Sequence, residues 1–219
     1  MSSLIQSSII KKVAMALSGL FLIIFLLQHF IINITSVFSE SIFNQFSHFM
    51  GKNFVVQFIA QPILIFGVIF HFVMGFYLEI QNTRATKYAY HKEMGSANSS
   101  WMSRNMIWSG LAILSFLVLH FIDFWIPEMN YKYVEFLPDD PNRYYEELVH
   151  KFEAPWRVSL YCVSFVLLSM HLLHGFSSAL KSMGANKYYS KFIKSFIHIY
   201  SIGIPLGFCF IAIYHFVSH

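Results

Sequence analysis

Five stretches of mainly apolar residues, at 13–37, 54–80, 106–126, 160–180 and 195–217, divide this chain. Each reaches the length of about 20 residues that a helix needs to cross a bilayer. In lipid every backbone N–H and C=O must be satisfied within the protein, so only helices and closed barrels can span. The short alternating segments of a membrane barrel are missing, so the blocks read as helices. The fold class that follows is an all-α membrane protein, a bundle of five transmembrane helices forming one domain over residues 1–219. Charge agrees with this reading. Only 12% of the 219 residues are Asp, Glu, Lys or Arg, where a soluble domain carries roughly 25%. A disordered chain and a basic nucleic-acid-binding domain are both excluded. The pI near 9.0 arises from bases at the ends of apolar blocks, not from a surface shaped for a polyanion.

Orientation follows from where those bases fall. With the N-terminus cytoplasmic, Lys52, Lys132, Arg143, Lys151 and Arg157 are the only outward-facing bases among 15. Acids gather instead in the outer segment 127–155. Trp101 and Trp108 mark the inner boundary, Trp125 and Trp156 the outer one, as an aromatic belt requires. The C-terminus is then outside. Lys11 and Lys12 before the first block imitate a signal peptide, but the apolar run is too long and no small-residue cleavage site follows. A retained span is expected. In the outer segment, Asp140-Pro141 ahead of Asn142–Phe152 predicts a short helix with Asp140 as its cap. The inner loop 81–103 is polar, and neither connection is large enough for a separate catalytic domain. Cys162 and Cys209, the two cysteines, lie inside apolar blocks and read as small buried hydrophobes.

The histidines carry the chemistry. Of 11, His29, His71, His120, His171, His174, His198 and His215 fall inside apolar blocks. An ionisable side chain in lipid is costly and marks a functional candidate, although a single one most often bonds a neighbouring helix. Depth sorts four of them. At 1.5 Å per residue, His29 lies about 25 Å beyond Lys12 and His120 about 24 Å beyond Arg104, both near the outer face. His71 lies about 20 Å before Arg84 and His171 about 15 Å before Lys181, both in the cytoplasmic half. Two pairs at two levels result, each drawing on two helices. His71 and His171 also share the form H-x-x-x-G-F, which sets Gly75 and Gly175 one turn away on the same face. A glycine there could clear space for a flat macrocycle, or simply let helices approach.

Zinc takes four ligands in its structural sites. Two imidazoles on opposite helices among Phe, Leu and Ile suit haem iron instead, with both axial positions filled and electron transfer as its task. No lysine lies inside a span to form a retinal Schiff base, and no intramembrane carboxylate cluster suggests an ion pump. The chain resembles the five-helix, dihaem cytochrome b subunit of succinate:quinone oxidoreductases, the bacterial succinate dehydrogenases and fumarate reductases. The likeness runs through Ser8-Ile-Ile-Lys-Lys12, Met15-Ala-Leu-Ser18-Gly19-Leu20, His29-x-x-x-Asn33 and the glycine after His71. It continues through Asn82-Thr-Arg84-Ala85-x-x-Tyr88 and Ser103-Arg104-Asn-Met106-Ile-Trp-Ser-Gly110 into His120.

The resemblance implies two b haems, one held by His71 and His171 near the cytoplasm and one by His29 and His120 near the outside. Its glycine four residues after the fourth ligand selects His171 over His174. It also implies a flavoprotein that oxidises succinate, an iron–sulfur protein docked on the cytoplasmic face, and a membrane quinone, with menaquinone as the expected type. The location implied is the bacterial cytoplasmic membrane. By itself the chain would do no succinate chemistry; it would carry electrons as a subunit of an oxidoreductase, with no nucleic-acid partner. Asp123, Asn33, Gln61 and Gln57 are quinone-site candidates, and Arg84, Lys12, Lys181 and Arg157 candidate propionate contacts. Each has a plainer reading as an interhelical bond or a boundary base. His198 and His215 read as structural, and Pro62 and Pro205 as helix bends. Two rival functions remain: a transporter whose histidines relay protons or bind a metal, and a haem-free anchor using them as helix glue.

Overall fold

The computed structural model describes residues 8–86, 105–185 and 191–219. Tyr88, Trp101, Ser103, Arg104 and most of the inner loop lie outside those residues. Among the described residues there are helices and no strands, and five helical spans are long and apolar enough to cross a membrane. We number the helices α1 (Ser8–Phe38), α2 (Glu40–Lys52), α3 (Gln61–Thr86), α4 (Met106–His120), α5 (Ile126–Tyr133), α6 (Arg143–Phe152), α7 (Pro155–Ser182) and α8 (Lys191–Ser218). The spans run as α1, α3, α4 continued by α5, α7 and α8. Each extends beyond its apolar block, because helical hydrogen bonding continues into the flanking polar residues.

Two wide π-helical turns interrupt the spans, Val56–Ala60 before α3 and Phe121–Trp125 between α4 and α5. Both have one cause. A proline ring collides with the carbonyl four residues earlier, and Pro62 and Pro127 place that collision at Phe58 and Asp123. Each widened turn contains the residue concerned, so the extra backbone relieves the clash. Pro62 therefore sits against a bulge. Pro205, by contrast, is buried inside α8, which continues on both sides of it.

The bundle is a square with a fifth helix along one side. α1 packs on α3 and α7, α7 on α4, and α4 only lightly on α3; α8 lies against both α1 and α7. The diagonal couples, α1 with α4 and α3 with α7, are not among the close neighbours. Large apolar side chains such as Ile24, Phe66, Val166 and Ile199 are exposed, as a lipid-facing surface requires. The buried core has an outer cluster around Phe43, Phe152, Tyr161, Phe165 and Phe208, and an inner one around Ile23, Leu172, Phe176 and Tyr200.

The outer end carries a cap that the apolar blocks do not reveal. α2 is amphipathic, is capped by Ser39, whose hydroxyl accepts from Ile42 N, and lies against α6. The short outer helix does form, but its cap differs from expectation. Asn142 occupies the cap position without a side-chain bond, while Asp140 accepts from Asn142 N and so shapes the turn ahead of it. Arg143 ties the cap together. Its buried guanidinium pairs with Glu128 and with Glu147 at 2.7 Å, and lies over the Tyr131 and Tyr144 rings. Burial opposes the charge on Arg143, yet Glu128 and Glu147 hold it protonated above its ordinary range. Burial, then Glu128, pushes the Tyr144 phenol upward, so it stays a donor to that carboxylate. Removing one partner of such a pair strands the other. Arg143→Ala is expected to cost about 3 kcal/mol, read as a lower thermal unfolding midpoint of the purified protein in detergent; an unchanged midpoint would contradict it.

Candidate functional site

Four imidazoles meet two by two across the diagonals of the square. On the outer level His29 of α1 faces His120 of α4, with ring centroids 5.8 Å apart and planes at 90°. On the inner level His71 of α3 faces His171 of α7, at 6.4 Å and 68°. An imidazole nitrogen bonds a first-row metal at about 2.0 Å and lies about 1.1 Å from its own ring centre, so two rings sharing one ion on opposite sides stand about 6.2 Å apart. Both couples sit close to that separation. Residues Ser18 and His29 on α1 touch the inner and outer levels respectively, so the levels lie about 16 Å apart along the helix.

Aromatic walls surround the outer pair. Phe25 stacks on His29 and Phe116 on His120, each one turn before its histidine, while Phe208, Phe124 and Tyr161 close the remaining sides. His120 Nδ1 is buried and has no hydrogen-bond partner. Asn33 donates to the His29 backbone carbonyl at 2.8 Å, and its amide nitrogen is 3.5 Å from both nitrogens of that ring. The inner pair is held differently. Ser18 Oγ is 3.1 Å from His71 Nδ1, and Ser109 Oγ is 3.1 Å from His171 Nδ1.

These serines escape a search for titratable groups, yet a repeat signals them. Met15-x-x-Ser18-Gly19-Leu20-x4-Phe25-x3-His29-Phe30-Ile31 recurs as Met106-x-x-Ser109-Gly110-Leu111-x4-Phe116-x3-His120-Phe121-Ile122. Together with H-x-x-x-G-F in α3 and α7, it makes the square two copies of one helix pair. Each copy supplies one ring to each level. Contacts repeat as well: Met15 lies against Gly75, and Met106 against Gly175. The flexible end of a methionine side chain therefore lies beside each of those two glycines. The glycines next to the imidazoles are Gly19 and Gly110, where an added Cβ would meet His71 Cε1 at 3.4 Å and His171 Cε1 at 3.8 Å.

The remaining candidates fall in several places. Asp123 is only 3% exposed, turned inward by its π turn; it accepts from Tyr161 at 2.9 Å and pairs with Arg157 Nε at 3.3 Å. One residue expected at a quinone and one expected at a propionate thus bind each other beside His120. Gln57 donates to Met50 O at 2.8 Å, leaving its carbonyl oxygen buried and unpartnered, while Gln61 begins α3. Arg84, Lys12 and Lys181 are exposed at the inner ends of their helices. His174 stands one turn from His171, and it is His171 whose ring faces His71. His198 is exposed and bonds Lys194 O through Nδ1 at 2.8 Å. His215 is fully buried, its Nε2 2.9 Å from Ser36 Oγ, as a structural group would be.

The donor set fits haem iron better than a bare metal. No group of three or more His, Cys, Asp or Glu able to hold a metal gathers among the described residues, whereas zinc in protein sites takes three or four such ligands. Each level offers two imidazoles, within aromatic walls at the outer level and beside serine hydroxyls at the inner one, which matches the axial positions of a macrocycle that brings its own four nitrogens. Comparison with known proteins adds no identification: no family model, curated protein or solved structure matches the chain.

Proposed function

We propose that this chain is the membrane anchor and electron-transfer subunit of a succinate:quinone oxidoreductase in a bacterial cytoplasmic membrane, binding two b haems. The observation that carries the proposal is the facing of four imidazoles in two couples, on the diagonals of one helical square, at the separation two ligands of one iron require. The resemblance of the sequence to dihaem cytochrome b subunits supports the same reading. Haem iron bound on both axial faces supplies one-electron transfer and leaves no open coordination site.

The chain's own residues do the rest. His71 and His171 hold the inner group, His29 and His120 the outer one, and Phe25, Phe116, Phe124 and Phe208 keep water from the outer level. The inner level faces the side on which an iron–sulfur partner and, behind it, a succinate-oxidising flavoprotein dock. A menaquinone-type quinone exchanges electrons near the outer level, where Asp123 and Asn33 lie. The reverse flow would support fumarate reduction. Optical redox titration of the purified complex tests this: two haems per chain with bis-histidine b-type difference spectra are expected. A preparation without haem would leave the haem-free anchor in its place.

A further inference from the structure

We infer that Ser18 and Ser109 are positioning residues that lock His71 and His171 in the tautomer whose Nε2 lone pair is free for iron. The inference rests on the haem reading above and goes beyond it by assigning the groups that prepare the ligands. Each serine hydroxyl has one proton to give. Ser18 Oγ gives it to Met15 O at 2.8 Å, and Ser109 Oγ gives it to Met106 O at 2.9 Å. The contacts of 3.1 Å to the two Nδ1 atoms must then be donated by the rings. A neutral imidazole protonated at Nδ1 keeps its lone pair on Nε2. Both inner rings are therefore fixed with the metal-binding nitrogen turned away from the serine.

Two independent features support the assignment. The same hydroxyl, the same backbone acceptor three residues earlier and the same ring nitrogen recur in both halves of the repeat. Among the described residues the outer level lacks the device, since His120 Nδ1 has no hydrogen-bond partner and the polar side-chain atom near the His29 ring nitrogens is the Asn33 amide nitrogen, not a hydroxyl. A hydrogen bond accepted from Nδ1–H fixes ring orientation and raises the basicity of the ligating nitrogen. It thereby favours ferric over ferrous iron. The effect is confined to the inner haem, and the outer haem serves as an internal reference.

The test uses the purified complex carrying Ser18→Ala, Ser109→Ala or both. Haem retention against an apo-protein acceptor and the midpoint of each haem are measured. The inner haem is expected to bind 10- to 100-fold more weakly. A tenfold loss confined to the ferric state raises its midpoint by about 59 mV. The outer haem is expected to be unchanged, and Ser18→Thr to restore wild-type values. In the double variant, inner affinity within twofold of wild type and a midpoint within the corresponding ~18 mV would overturn the proposal, as would equal shifts of both haems, which signal general loosening. A wild-type complex without haem would overturn the haem reading itself, before any serine is changed.

Discussion

Replacing His29 or His120 with alanine is expected to remove the outer haem and leave the inner one, giving one haem per chain in both variants. His71→Ala and His171→Ala are expected to do the converse. The expectation follows from the diagonals. His29 and His120 stand 5.8 Å apart on α1 and α4, while His71 and His171 stand 6.4 Å apart on α3 and α7. Because an axial pair acts as a unit, removing either member should give the same spectrum as removing the other. The double variant His29→Ala with His120→Ala should look like either single one, whereas His29→Ala with His71→Ala should hold no haem. His174→Ala is the control, since its ring is not the one facing His71, and both haems should stay. Succinate-driven quinone reduction should fall by at least about 100-fold in every ligand variant, because each would break the proposed chain of carriers. Haem counts and redox titration of the seven variants decide it. Loss of one haem from His29→Ala and of the other from His120→Ala would show that the rings do not share an iron.

How much of this could be read from the residues depends on the kind of signal. The five spans were plain because lipid demands length and apolarity together, and Lys or Arg mark the ends. The pairing of four histidines was legible from depth, since each helix rises by a constant amount and flanking charges give a zero. Choosing His171 over His174 was not a matter of depth. The two lie one turn apart, and only packing decides which ring looks across the square. α2 went unseen because a short amphipathic helix has no apolar run. It shows only a serine cap at Ser39 and an acid at Glu40. The role of Asp140 is not legible in the sequence, because an Asp before a helix can cap it or close the preceding turn, and here it accepts from Asn142 N.

The serines show a different limit. Ser18 and Ser109 stand in apolar blocks where a hydroxyl usually bonds its own helix, as both do through Met15 O and Met106 O. Their second contact, to a histidine on another helix, appears only when the helices are side by side. The repeat that relates them lies in the first helix of each half and is as strong as the H-x-x-x-G-F match. The pairing of Asp123 with Arg157 was hidden for a similar reason. The π turn before Pro127 rotates Asp123 out of the register that a regular helix would give it.

Asp123→Asn is expected to keep both haems and to slow quinone turnover by roughly 100-fold, the usual weight of a positioned acid or base. Among the described residues, Asp123 is the one buried carboxylate near the outer imidazoles, held by Tyr161 at 2.9 Å and by Arg157 at 3.3 Å. A quinone gains or loses protons with its electrons, so the proposed quinone site at the outer end would need a group that exchanges them. Asparagine keeps the acceptor for Tyr161 and removes only the proton-carrying ability and the charge. The contrasting change is Arg157→Leu, which leaves the carboxylate without its cation. Breaking a buried pair this way costs about 3–5 kcal/mol, so that variant should unfold at lower temperature even where Asp123→Asn does not. Haem content, thermal stability and quinone turnover therefore separate two roles. A proton acceptor loses turnover in Asp123→Asn at unchanged haem content. A latch between α4 and α7 loses stability in both variants, with turnover per haem within threefold of wild type, and that second pattern would remove Asp123 from the quinone chemistry.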